Sequence, residues 1–65
     1  MRVMVNQVEH EVPQGALVSQ VLQQVQAKPP FAVAVNLQFL PKTKYAEFTL
    51  QENDQIEVIA PVTGG

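Results

Sequence analysis

Cysteine is absent from this sequence, and histidine occurs once, as His10. Disulfides and thiolate metal sites are therefore excluded, and one imidazole cannot build a zinc site alone. The four cationic side chains and the net charge of −2 exclude the basic stripe of a nucleic-acid-binding protein. No apolar run approaches the ~20 residues of a membrane span, and the first six residues lack the apolar core of a signal peptide. We expect no nucleic-acid or membrane partner, no metal, and a cytoplasmic location.

Apolar residues make up 46% of the 65 positions, and their spacing predicts five strands and one helix. The i, i+3, i+4, i+7 spacing of an apolar helix stripe is followed by Val18, Val21, Leu22 and Val25. We therefore predict a helix from 15 to about 26 that stops at the prolines of 28–30. Alternating or continuous apolar runs predict strands at 1–6, 8–12, 31–35, 39–40 and 55–60. Residues 42–47 are predicted to be irregular.

The order strand, strand, helix, strand, short strand, strand predicts the α+β arrangement called the β-grasp, or ubiquitin-like, fold. It is a mixed sheet of four or five strands with one helix packed on one face. Residues 31–35 are apolar on both faces, which predicts a central strand whose alanines leave room for the helix. Leu37 disfavours positive φ, so we expect the turn at 36–38 to be longer than two residues or of another type. Residues 1–60 form the predicted domain, and 61–65 form an extended tail.

The side chains predict no catalytic site within this domain. His10 stands between Glu9 and Glu11, but strand alternation places the two carboxylates on the opposite face. We interpret His10 as a sheet residue near an edge. The chain has no glycine-rich phosphate loop, so we do not expect it to bind ATP itself.

The unusual feature is the end of the chain, where two of the three glycines, Gly64 and Gly65, stand together. Such a pair has a chance probability of about 0.5%, although a frayed terminus remains an alternative interpretation. A terminal carboxylate accepts nucleophiles poorly until an enzyme converts it to an acyl-adenylate. Glycine makes a thin, free tip that can enter another protein's cleft, and Val62 and Thr63 favour an extended approach.

Several segments resemble the ThiS family, the sulfur-carrier proteins of thiamine thiazole biosynthesis. They are 31–36 (FAVAVN), 41–42 (PK), 45–47 (YAE), 53–58 (NDQIEV) and 61–65 (PVTGG), and the resemblance covers essentially the whole chain. The sequence departs from the family pattern at Leu37, where glycine is frequent, and at Gly15 and Ala16, where a helix-capping Ser or Thr is usual.

The resemblance implies that the chain is a carrier and not an enzyme. An E1-like adenylyltransferase would adenylate the Gly65 carboxylate with its own ATP and magnesium. A cysteine desulfurase or another donor would then supply the sulfur of a thiocarboxylate, which thiazole synthase would consume. Gly64, Thr63 and Val62 would carry this tip into the partner's active site.

Three other functions remain open from the sequence. The small subunit of molybdopterin synthase has the same implied fold and Gly-Gly end but is usually longer. The chain could also be a modifier joined to lysines through Gly65, or an interaction module with an inert tail. For any of them, Ile59, Leu37 and Phe39 are candidates for an exposed apolar docking patch.

Overall fold

A computed structural model describes residues 1–60 and confirms the mixed sheet with one helix on one face. The strands run in the order β2-β1-β5-β3-β4, with β1 and β5 parallel and the other pairs antiparallel. Residues 42–47, predicted to be irregular, contain one 3₁₀ turn at Lys42–Lys44. The other elements are β1 (Arg2–Val5), β2 (Val8–Glu11), α1 (Val18–Gln24), β3 (Ala32–Val35), β4 (Gln38–Leu40) and β5 (Gln55–Ile59).

Both hairpins close through two-residue turns in which each central residue has positive φ. The values are 51° and 67° for Asn6 and Gln7, and 51° and 70° for Asn36 and Leu37. These are the angles of type I′ turns, whose twist matches that of the strands they join. The expectation of a longer or different turn at 36–38 was therefore wrong. The pairing of Val35 with Gln38 leaves only two residues for the turn and holds Leu37 in the left-handed region.

The central strand is β5, and the prediction that residues 31–35 occupy the centre was wrong. That prediction took apolarity on both faces as the sign of a central strand, which holds for sheets covered on both sides. Here the helix covers one face only, so the central strand alternates, with Ile56 1% exposed between the exposed Gln55 and Glu57. Ala32 and Ala34 lie on the uncovered face and do not make room for the helix, since Val33 and Val35 face the core.

The helix is shorter than the predicted 15–26 because other interactions fix both ends. Gly15, with φ of +78°, belongs to the preceding turn, and Leu17 caps the helix while its N–H donates to Gln20 Oε1 at 2.8 Å. At the other end Gln26 adopts φ of 58°, and Ala27 N–H donates to Leu22 O at 3.0 Å. This pattern is a Schellman motif, so the helix ends before the prolines at which the predicted stop was placed.

The core lies between α1 and the inner face of the sheet. Val18 and Val21 of the helix pack with Val3, Val33 and Ile56, which come from three different strands and are each at most 1% exposed. No polar side chain is buried in residues 1–60. In the same range, no helix has the length and apolarity needed to cross a bilayer.

Leu50→Ala is expected to lower the free energy of unfolding by about 2–4 kcal/mol, because Leu50 is 2% exposed and its loss leaves a cavity. Urea denaturation followed by circular dichroism measures this change. Leu37→Ala removes the same atoms from a side chain that is 88% exposed, and the expected change is within about 0.5 kcal/mol. Equal losses at the two positions would contradict this description of the core.

Leu37→Gly is expected to raise the free energy of unfolding by about 0.5–1 kcal/mol, because glycine adopts φ of 70° without a Cβ clash. Gln7→Gly, at the same turn position of the other hairpin, should give a gain of similar size. Thermal and urea melts of both variants provide the measurement. A loss at Leu37 beside a gain at Gln7 would show that the leucine side chain stabilises the fold.

Candidate functional site

The predicted reactive tip and its approach, Val62, Thr63, Gly64 and Gly65, lie outside the described residues. The structure does show the base from which the tail departs. Ile59 is the last residue of the central strand, and Ala60 follows it as an exposed residue. The geometry of this strand end therefore sets where the tail begins relative to the rest of the domain.

The end of β5 is held on both flanks. On one side Val58 and Ile59 pair with Val33 and Ala32 of β3. On the other side, the carboxamide of Asn6 binds the backbone of Val58. Asn6 Oδ1 accepts from Val58 N–H at 2.8 Å, and Asn6 Nδ2 donates to Val58 O at 3.3 Å. A side chain distant in sequence thus fixes the strand two residues before Ala60.

The start of β5 is held by the equivalent asparagine of the second hairpin. Asn36 Oδ1 accepts from Gln55 N–H, and Asn36 Nδ2 donates to Asp54 Oδ1, both at 3.0 Å. The other oxygen of Asp54, Oδ2, accepts from Gln51 N–H at 2.8 Å, which closes the turn before the strand. The asparagine of each hairpin turn therefore forms hydrogen bonds at one end of the central strand.

An apolar surface begins beside the base of the tail, on the face of the sheet that the helix leaves uncovered. Ile59 is 53% exposed and Phe39 is 71% exposed. Ala32 pairs with Ile59 and Ala34 with Phe39, so the two half-buried alanines of β3 lie between the larger side chains. We call these four residues, Ala32, Ala34, Phe39 and Ile59, the outer patch.

Leu37, the third predicted docking residue, lies apart from Ile59. It is the most exposed large apolar side chain described, at 88%, and it lies at the tip of the β3–β4 hairpin. Ile59 is level with Ala32 near the opposite end of β3. The structure therefore brings Phe39 and Ile59 onto one face and places Leu37 at the far end of the same hairpin.

Charged side chains also lie on this face, next to Met4 of β1. Arg2 Nε and Glu9 Oε2 form an exposed ion pair at 3.2 Å on the β1–β2 side, and Glu57 pairs with Ala34 at the border of the outer patch. On the opposite, helix-facing side of the sheet, His10 lies half-buried in the edge strand β2, opposite Val3, as the sequence indicated. Residues 1–60 contain no grouping of His, Asp and Glu that could hold a metal ion.

Sequence reasoning missed Asn6, Ala32 and Ala34 as parts of this region. Period-two alternation with Val33 and Val35 could have assigned the alanines to the outer face. No local signal could have identified the role of Asn6, because its partner, Val58, is 52 positions away.

Comparisons with known proteins agree with this geometry. A model of the ThiS family matches residues 1–65. Among solved structures, a crystal structure of a thiamine biosynthesis protein (ThiS) from Geobacter metallireducens superposes with a TM-score of 0.83. The match covers 100% of both chains at 20% sequence identity, and it shows the same β-grasp fold. A search of curated proteins found no match.

Proposed function

The chain belongs to the ThiS family of small sulfur carriers, and on this basis we propose that it holds sulfur as a thiocarboxylate at the carboxyl group of Gly65. The observation that carries the proposal is the family match, which extends through the tail to Gly64 and Gly65. The Geobacter protein with the same fold is described as a thiamine biosynthesis protein, which supports thiazole formation as the destination of the sulfur.

The first step of the proposed cycle activates the tail. A carboxylate oxygen of Gly65 attacks the α-phosphorus of ATP, and pyrophosphate leaves as the acyl-adenylate forms. An E1-like adenylyltransferase binds the ATP and Mg²⁺, so this chain acts as its co-substrate. In the second step sulfur at the hydrosulfide level, derived from a cysteine desulfurase or another donor, attacks the carbonyl carbon. The bond between this carbon and the oxygen of AMP breaks, and AMP leaves. If the donor is a persulfide, a thiol must also reduce the S–S bond that joins the donor to the transferred sulfur.

The third step delivers the sulfur to thiazole synthase. The thiocarboxylate sulfur adds to an electrophilic C=O or C=N carbon of the acceptor, whose π electrons move to the oxygen or nitrogen. Hydrolysis of the resulting thioester leaves the sulfur on the acceptor, gives Gly65 an oxygen from water and restores the carboxylate. A thiocarboxylate is a reduced sulfur species, so we place the cycle in the reducing cytoplasm. The tail residues Val62, Thr63 and Gly64 carry the reacting carbon into each partner's active site.

We propose the outer patch, together with Leu37, as the surface on which the adenylyltransferase docks. Ile59 lies directly before Ala60, so a partner bound there is next to the base of the tail. Leu37 keeps a large apolar side chain fully in solvent and at a φ that disfavours leucine. Strained exposed residues of this kind are concentrated at functional sites, which supports a role in recognition.

Deletion of Gly65 is expected to reduce thiocarboxylate formation by at least about 100-fold, because the carboxylate then ends one residue short of the partner's reacting geometry. The measurement is intact-mass spectrometry after incubation with an adenylyltransferase, MgATP and a sulfur donor. The full-length chain should increase in mass by the difference between one sulfur atom and one oxygen atom. This increase should be localised to the Gly64–Gly65 peptide.

The control for this deletion is its urea midpoint, which should equal that of the full chain. A truncated chain that acquires sulfur at the full rate would contradict the proposal. A full chain that forms thiol-resistant adducts with lysines would favour a protein modifier. Stable association with a larger subunit that makes molybdopterin would favour the small-subunit role in molybdopterin synthase.

Ile59→Thr is expected to raise the KM of the adenylyltransferase for this chain about tenfold, since central apolar contacts contribute most of the affinity of an interface. Val8→Thr is the matched control: Val8 is 58% exposed and also β-branched, but it lies on the helix side of the sheet. Its KM should stay within about twofold of the original value. Steady-state pyrophosphate release measures both variants, and equal effects would rule out the outer patch as the docking surface.

A further inference from the structure

On its β1 side, the end of β5 lacks a backbone partner where β1 leaves the sheet, while β3 still pairs with its other side. The last registered pair of these strands is Val5 with Ile56, and Asn6 N–H still donates to Ile56 O at 2.9 Å. The chain then turns away at Asn6 and Gln7, while β5 continues to Ile59. The residues of β5 that lead to the tail thus extend past the end of the neighbouring strand.

The carboxamide of Asn6 takes the place of the missing strand. It offers one acceptor and one donor to Val58, the same two kinds of group that successive β1 residues would present if that strand continued. Two bonds from one planar group fix the orientation of the Val58 peptide units as well as their position. The other side of the strand end is held by the pairing of Val58 and Ile59 with Val33 and Ala32 of β3.

We infer that Asn6 is a positioning residue that orients the tail, an inference that rests on the proposed function. Its two bonds at Val58 replace the missing β1 side of the sheet and, together with the β3 pairing, hold the last residues of β5 on both flanks. Ala60, from which the tail departs, is then held at a fixed place relative to the outer patch. A partner docked on that patch meets the base of the tail at a fixed distance from the docked surface.

A loosened strand end would change catalysis in a recognisable way. The outer patch would still dock, so the KM of the adenylyltransferase for this chain would not change. The fraction of docked complexes with the tail in the cleft would fall, and the maximal rate would fall by that fraction. Two exposed hydrogen bonds correspond to roughly a fivefold to tenfold change in this population.

Asn36 supplies a matched control within the same molecule. It occupies the same turn position with the same φ of 51°, but its carboxamide holds Asp54 and Gln55 at the start of β5, remote from the tail. Glycine accepts this φ at both positions while it removes the carboxamide. Asn6→Gly and Asn36→Gly therefore alter the same kind of turn and differ in which end of β5 they release.

The experiment combines two readouts on the full-length variants. Native-state hydrogen exchange by NMR should show the Val58 amide exchanging about tenfold faster in Asn6→Gly and within about twofold of the original rate in Asn36→Gly. Single-turnover adenylation with MgATP and the adenylyltransferase should show a fivefold to tenfold lower maximal rate for Asn6→Gly only, with the half-saturating concentration unchanged. A variant that had only lost stability would not show a lower maximal rate together with an unchanged half-saturating concentration.

Three results would overturn the inference. The first is an unchanged maximal rate in Asn6→Gly despite faster exchange at Val58, and the second is unchanged exchange at Val58. An equal loss of rate in Asn36→Gly would assign the effect to the sheet as a whole and would overturn it as well. If the chain without substitutions is never adenylated, the proposed function itself fails. This outcome differs from slower adenylation of the Asn6→Gly variant alone.

Discussion

The insertion of β5 between the two hairpins is the constraint on which the structure depends. Each hairpin forms from residues close in sequence, but β1 and β3 are joined into one sheet only through this last strand. Ile56 at its middle is 1% exposed and completes the inner face against which the helix packs. A domain of this size buries only about 60% of its unfolded surface, so it has little stability beyond what this closure supplies. The strand that closes the core is also the one from which the tail departs.

The two faces of the sheet serve different purposes as a result. The inner face is fully apolar at its centre and supplies the packing energy. The outer face holds Phe39 and Ile59 in solvent, where burial would stabilise the domain if a second layer were present. Leu37 adds a local cost through its positive φ. The domain thus leaves on its surface apolar area that does not contribute to folding.

Much of this fold could be predicted from periodicity, and the errors have identifiable physical causes. The helix stripe at Val18, Val21 and Leu22 and the hairpin at Asn6 were correct because they depend on local spacing. The choice of central strand failed because it assumed a sheet covered on both sides. The predicted C-terminal end of the helix was wrong because Gln26 adopts a left-handed conformation that its residue type does not indicate. Of the predicted docking residues, alternation separates Ile59 from Ile56 and Val58, whereas its shared face with Phe39 and its distance from Leu37 required the register of β3 with β4 and β5.

The paired asparagines show why such non-local features escape a sequence pattern. Asn6 and Asn36 each satisfy a local requirement, since asparagine tolerates the positive φ of a type I′ turn. Each also satisfies a distant one, because its carboxamide binds the backbone of β5. The direction of the neighbouring strands decides which end is bound: β1 is parallel to β5, so its turn meets the end of β5, and β3 is antiparallel, so its turn meets the start. Glycine would satisfy the turn alone, so the long-range bond distinguishes asparagine from glycine at these positions.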